Sequence, residues 1–248
     1  MKITAEKLMR WRAPDYLLAW FYEQECDDAK TLIERLLNLS PPTLIERLLQ
    51  RLRHPSSPPL YLSDRQRIYA AVCLLEDCLS YRNMVLFMLY ATSKELLLYA
   101  EVYPLDRRPH EALEAAVNLL QSPSDTAAAI LSNALSRCRP AYNMTSDNCD
   151  AARVIESRLS ALAKEFNTKA TWAAYKEAEK THRNARNLYS AIGRVLENAN
   201  AALSIYKKPD NLVSTSCFHD MYCFDEYHME IINYGLTLLE KMENENNG

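Results

Sequence analysis

Glycine is nearly absent from this chain of 248 residues, which contains only Gly193, Gly235 and Gly248. Glycine supplies the positive φ angles of tight β-hairpins and lets a backbone approach phosphate groups closely. Such scarcity argues against hairpin-rich β folds and against the glycine-rich loops of nucleotide-binding enzymes. The GxSxG and HExxH motifs of hydrolases and zinc peptidases are also missing from the sequence.

Long apolar runs and paired cysteines are missing as well. The longest segments without Asp, Glu, Lys or Arg have 11 residues, for example 83–93, whereas a bilayer span needs about 20 apolar residues. The seven cysteines form no CxxC motif and follow no signal peptide, which favours reduced thiols over a disulfide framework. We therefore expect a cytoplasmic protein that does not enter a membrane.

Charge is unevenly distributed along the chain. The net charge of −3 argues weakly against nucleic acid as the main partner. Residues 209–248 contain eight acids and one base, a net of −7, and residues 1–208 have a net of +4. The acidic region is either a solvated last helix or a face that meets a basic partner. In the second case the candidate contact residues are Asp220, Asp225, Glu226 and Glu230.

Helical periodicity runs through most of the chain, and no segment alternates as a strand would. We predict an all-α fold of about ten helices, either a multi-helix bundle or an irregular stack of helix pairs, without a sheet. Pro140 and several polar neighbours predict a loop at 139–147. The predicted helices include 4–12, 15–38, 64–80, 83–91, 93–103, 108–121, 124–137, 148–166, 168–206 and 220–242.

A proline-rich segment, His54-Pro55-Ser56-Ser57-Pro58-Pro59, divides the chain. Each proline lacks an N–H group and restricts the residue before it, so no helix continues there. We predict an N-terminal helical subdomain at 1–54, a linker at 54–62 and a main α-helical domain at 63–248.

Two groups of residues, each with histidine near cysteine or acidic residues, are candidate chemical sites. Structural zinc sites usually combine two close ligand pairs. The irregular spacing of the first group and its interleaved aromatic residues favour a packing segment instead; it comprises Cys217, His219, Cys223 and His228. His182 with Glu177, Glu179 and Arg183 is typical of a solvated helix face. We therefore expect no catalytic residues, no metal and no cofactor, and no enzymatic activity.

Charged residues are dense in the segment YPLDRRPHEALEAA at 103–116. Asp106 can accept backbone N–H groups as an N-cap, Pro109 fits a first turn, and Glu111 lies near the positive end of the helix dipole. Helix initiation does not require Arg107 and Arg108. These two arginines either form ion pairs with a neighbouring helix or bind an acidic surface of a partner. They are candidate partner-binding residues.

The same segment resembles the immunity proteins of bacterial polymorphic-toxin systems. In that family an Asp-x-Arg-Pro turn joins two helices of an alanine-rich domain. The resemblance lies mainly in residues 93–121, where the matching positions are Asp106, Arg108, Pro109, Glu111, Ala112, Ala115 and Ala116. It implies a cytoplasmic protein that sequesters a cognate toxin or effector without chemistry of its own. The acidic C-terminal region would then contact a basic toxin, such as a nuclease or deaminase.

A second interpretation stays open beside the immunity-like inhibitor. A general helical protein-interaction module, such as a regulatory adaptor or a prophage-borne host-interaction factor, fits the same sequence features. The two hypotheses differ in the kind of protein partner and agree on a binding role.

Overall fold

The computed structural model describes residues 2–4, 8, 18, 20–22, 24, 26–38, 64–207 and 227–247. Within these residues there is no β-strand, and the only bridge pairs Lys2 with Asp28. The all-α prediction is confirmed. The helices whose bounds lie in the described part are α1 Ala29–Asn38, α2 Asp64–Cys78, α3 Tyr81–Val102, α4 Arg108–Gln121, α5 Asp125–Phe166, α6 Lys169–Lys207 and α7 His228–Asn247. The predicted linker at 54–62 lies outside the described residues.

One compact unit contains α1, α2 and α7, together with the first residues of α3 up to Met84. The α1 helix packs against α2, and α2 packs against α7. Asp28 caps α1 by accepting the backbone N–H of Thr31 at 3.0 Å and its hydroxyl at 2.8 Å. The predicted continuous helix at 15–38 is therefore wrong at 26–28, where Asp28 starts a new helix. The α1 helix buries Ala29, Leu32, Ile33 and Leu36.

The second unit, from Val85 onward, contains the rest of α3 together with α4, α5 and α6. The α4 helix packs against both α5 and α6, which form a long hairpin. Two side-chain pairs join α3 to α6: Asn198 donates to Thr92 at 2.9 Å, and Arg194 donates to Glu95. One face of α4 is apolar and buried; it includes Ala112, Leu113, Ala115, Ala116, Leu119 and Leu120.

Two predicted breaks inside helices are wrong. The α5 helix continues for 42 residues through Pro140, so the expected loop at 139–147 is helical. Cys138 and Ala141 on either side of the proline are fully buried, and this burial overrides the local preference. The expected break near Thr92 is also helical. There Thr92 and Ser93 donate their hydroxyls to Met88 and Tyr90 carbonyls of the same helix, instead of capping a new one.

The hairpin of α5 and α6 projects beyond the other helices of its unit. A helix of 42 residues is about 63 Å long and one of 14 residues about 21 Å, so α4 covers only part of α5. Asn167 makes the reversal with φ 48°, and its N–H bonds the Ala163 carbonyl at 3.0 Å. Between 149 and 186 the buried residues are Ala152, Ala163 and Ala178. Among the alanines in the first part of α6, Ala178 is buried, whereas Ala170, Ala173 and Ala174 are exposed.

Among the described helices, none has an apolar stretch of the length that a bilayer span requires.

Candidate functional site

The turn between α3 and α4, residues 103–108 and called the basic turn below, is closed by its own backbone. The Tyr103 N–H bonds the Tyr99 carbonyl at 2.8 Å, and the Asp106 N–H bonds the Tyr103 carbonyl at 3.0 Å. The N-cap position is Arg107, one residue later than predicted. Asp106 still accepts a backbone N–H, from Arg108 at 3.1 Å, and so stabilises the turn as an Asx-turn does.

Asp106 is the centre of a polar network that holds the turn. The Arg108 guanidinium donates to both carboxylate oxygens, at 2.8 and 2.6 Å, and the Tyr99 hydroxyl donates at 2.7 Å. The hydrogen bonds from Arg108 lower the pKa of Asp106 to about 2, although burial opposes the shift. Burial, and then the hydrogen bond to Asp106, raise the pKa of Tyr99. A bidentate charged pair of this kind fixes both side chains.

Two further contacts fasten the basic turn to the helices around it. Tyr103 packs on Tyr99 with ring centroids 4.9 Å apart, and its hydroxyl accepts a hydrogen bond from Asn148 of α5 at 3.1 Å. Cys138 of α5 is fully buried, and burial raises the pKa of its thiol to about 11, with the Asp106 charge adding to the effect. This thiol is neutral near pH 7 and is not an activated nucleophile.

An open cavity of about 550 Å³ lies beside the turn, lined by Leu105, Asp106, Arg107, Arg108, Glu111 and Arg137. Leu105 is 96% exposed at its edge. The Arg137 guanidinium of α5 lies 3.0 Å from Glu111 Oε2, but this buried oxygen accepts no well-aligned hydrogen bond. The Arg107 guanidinium lies 3.8 Å from Glu114 and is mostly exposed. The cavity thus presents two solvent-facing arginines and one exposed leucine.

The two arginines predicted from sequence are both in this site, with different roles. Arg108 pairs with Asp106 inside the turn, and Arg107 approaches Glu114 of its own helix. The expected pairing with a neighbouring helix is made by Arg137 instead. Sequence reasoning missed Leu105 and Arg137. An isolated leucine among charged turn residues was a usable signal for the first, whereas only the fold brings Arg137 to the turn.

The other predicted residues lie elsewhere. Glu230 is exposed in the first turn of α7, whereas Asp220, Asp225 and Glu226 are outside the described residues. Of the weighed zinc ligands, His228 is buried at the start of α7 and the other three, Cys217, His219 and Cys223, are also outside. No group of His, Cys, Asp and Glu residues that could hold a metal ion occurs in the part of the chain that the structure describes.

The prediction of a solvated face around His182 is only half correct. Arg183 does pair with Glu179 on the exposed surface at 3.2 Å. His182 is half-buried, however, and its Nδ1 bonds Glu156 of α5. This contact between the two arms of the hairpin could not be read from the sequence of α6 alone.

Comparison of the chain with family models, with curated proteins and with solved structures finds no match. The resemblance of the basic turn to the immunity proteins stays a prediction from the residues that carry it.

Proposed function

We propose that this chain is a non-enzymatic binding protein that sequesters a cognate protein toxin or effector through the basic turn. One observation supports this contact most strongly: Leu105 is 96% exposed beside the solvent-facing Arg107 and Arg137. Arginine is enriched among the residues that anchor protein interfaces, and the exposed leucine beside it adds apolar surface that a partner can bury.

Rigidity of the turn favours binding. Asp106 ties Arg108 and Tyr99 together before any partner arrives, so little conformational entropy is lost when a partner docks. A guanidinium can bind a carboxylate with two parallel hydrogen bonds. The partner surface that fits best therefore carries an Asp or Glu for Arg107 or Arg137, and an apolar recess for Leu105.

Inhibition is the part of the proposal that depends on the resemblance to immunity proteins. Such an inhibitor needs a fixed scaffold and a complementary surface, and it blocks its partner by occupying it. A general interaction module would use the same contact with a partner that is not toxic.

Affinity capture from the native cell, followed by mass spectrometry, tests the contact. We expect Leu105→Asp and the double variant Arg107→Glu/Arg137→Glu to reduce recovery of the partner at least tenfold. Val102→Asp, also an exposed apolar position, and Arg139→Glu, two residues from Arg137, are matched controls that should capture as the wild type does. Equal capture by all variants would exclude the basic turn as the contact.

Growth of a bacterial host then distinguishes inhibitor from general module. The captured partner is expressed alone and together with this chain. We expect growth arrest in the first case and recovery in the second, with recovery lost in the Leu105→Asp variant. A partner that is harmless when expressed alone would favour the general interaction module.

A further inference from the structure

The projecting part of the hairpin carries an apolar stripe on α5 that nothing in its own unit covers. Its four members are separated by four, three and four residues, which places them on one face of a helix. Ile155 is 55% exposed, Leu162 41% and Phe166 59%, and Leu159 is half-buried. A helix face meant for solvent carries polar and charged residues there. The stripe is therefore Ile155, Leu159, Leu162 and Phe166.

This stripe continues a face that is packed nearer the bundle. Asn148 lies seven residues before Ile155 and Arg137 another eleven before that, so all three share one side of α5. Arg137 meets Glu111 of α4, and Asn148 meets Tyr103. Cover on this side ends at Asn148, and the apolar residues begin at Ile155, about two turns later. The hairpin lacks the helices that cover the same face in the bundle.

The spacing of the stripe is the same in both directions along α5. Its midpoint falls between Ser160 and Ala161. A second copy running antiparallel about this midpoint places Ile155 opposite Phe166 of the partner subunit. Leu159 then faces Leu162 of the partner subunit, and each contact occurs twice. Self-complementary surfaces of this kind are what a two-fold symmetric dimer requires.

Charges on the edge of the stripe fit the same arrangement. Arg158 and Glu165 are seven residues apart on one edge, and both are exposed. Neither forms an ion pair within the described residues. In an antiparallel helix pair, residues on the same edge of the two helices meet. Arg158 therefore lies opposite Glu165 of the partner subunit, and Glu165 opposite Arg158 of the partner subunit, so both charges find a partner of opposite sign.

The length of the hairpin also permits this packing. With the midpoint between residues 160 and 161, the reversal at Asn167 of one copy reaches the level of Val154 in the other. Val154 is six residues, about 9 Å, short of Asn148. The tip of one hairpin therefore ends before the level of Tyr103 in the other copy. The dimer does not use the part of the α5 face that α3 and α4 already cover.

We infer that two copies of this chain associate through the projecting hairpins, with the α5 stripes packed antiparallel across a two-fold axis. The inference is independent of the basic turn and of any toxin. It assigns a role to an apolar stripe that the helices of this unit leave uncovered.

Light scattering after gel filtration of the full chain tests the dimer. We expect a mass of twice 28.5 kDa for the wild type at about 100 µM, a concentration at which even a weak dimer forms. Leu162→Asp should give the monomer mass. Val154→Asp, 47% exposed on the neighbouring face, should keep the dimer mass. Circular dichroism and thermal melting establish that both variants fold. A monomeric wild type, or a dimer unaffected by Leu162→Asp, would overturn the inference.

Charge reversal tests the antiparallel register. Arg158→Glu and Glu165→Arg should each weaken the dimer about tenfold, because each places like charges together at two symmetric positions. The combined variant should restore the dimer to within about threefold of the wild type, since the pairs are reformed with opposite polarity. Sedimentation equilibrium measures the dissociation constants of the wild type and of the three variants. Failure of the combined variant to recover would overturn the register. Binding of the stripe to a different protein, or to a helix of that protein, without self-association of this chain would overturn the dimer itself.

Discussion

Asp106 accepts four hydrogen bonds, which come from two residues. Its carboxylate accepts hydrogen bonds from the Tyr99 hydroxyl and from the backbone and guanidinium of Arg108. The side chain of Asp106 is 16% exposed and that of Arg108 34%, so water screens the pair only in part. The ionised form of Asp106 therefore stabilises the turn that presents Leu105.

Replacing Asp106 with Asn should reduce the free energy of unfolding by about 1–2 kcal/mol near pH 7, because the charged pair with Arg108 is lost. The pKa of Asp106 is lowered from 3.8 to about 2. Its contribution is thus complete above pH 3.8 and disappears as the pH falls through 2. Urea denaturation at several pH values measures the effect, with exposed Asp147→Asn as control. A difference that stays constant between pH 4 and 2 would contradict the assignment.

Glu95 is buried between α3 and α6 and shows the opposite pH behaviour. Burial raises its pKa to about 7, and the charge and hydrogen bonding of Arg194 oppose the shift. A raised carboxyl pKa gives stability that is complete below the unfolded value and is lost as the pH rises through the folded one. We expect the stability of the wild type relative to Glu95→Gln to fall by about 3 kcal/mol between pH 4.5 and 7. Chemical denaturation of both proteins across this range measures it.

An exposed acid provides the control for Glu95. Glu114 is 62% exposed, and Glu114→Gln is the matched substitution for comparison. A flat difference between the wild type and Glu95→Gln would show that Arg194 keeps Glu95 ionised throughout.

Local contacts in the basic turn were predictable from sequence, and distant ones were not. Pro109 and Glu111 lie in the first turn of α4 as expected, because helix starts depend on a few consecutive residues. The sequence also predicts that Asp106 accepts a backbone N–H, although the N-cap position is Arg107, one residue later. Tyr99 and Arg137 reach the site from two other helices. Their contribution depends on packing that periodicity does not specify.

Elements were predicted best where an apolar stripe and a clear end coincide. The predicted helix at 108–121 matches α4, and that at 168–206 matches α6 within one residue at each end. The break predicted at Pro140 is wrong, because the low helix preference of proline is overridden in a helix that is packed by α4 and α6. Pro140 itself is exposed. Pro140 destabilises α5 through the loss of one backbone hydrogen bond and through crowding of its ring against the preceding turn.

Pro140→Ala should therefore raise the free energy of unfolding by about 1–3 kcal/mol, because alanine restores the backbone N–H and removes the clash with the preceding turn. Urea denaturation and thermal melting measure the change. Pro109 is a matched control, because a proline in the first turn of α4 has no hydrogen bond to restore. We expect no gain from Pro109→Ala. A Pro140→Ala protein that is less stable than the wild type would mean that a kink at this position contributes to the packing of α5.

Charge of opposite sign divides the chain into two regions. The basic turn belongs to the part of the chain with a net charge of +4, and residues 209–248 have a net charge of −7. Composition alone predicted this division. It could not predict which acids face a partner, since that depends on the fold, and among the four candidate acids only Glu230 lies in the described part. A partner with both acidic and basic surfaces would fit such a chain.

Reversing the charges of Asp220, Asp225, Glu226 and Glu230 to Lys should slow association with a basic partner about tenfold or more at low salt, because the summed field steers the encounter. The difference should shrink near physiological salt, where charges beyond about 8 Å are screened. Stopped-flow mixing with the captured partner measures the association rate. Reversal of exposed Glu101, Asp147 and Glu177, which precede the acidic region, is the control and should have a smaller effect. An unchanged rate in the first variant would exclude the acidic region as a contact and leave the basic turn as the docking surface.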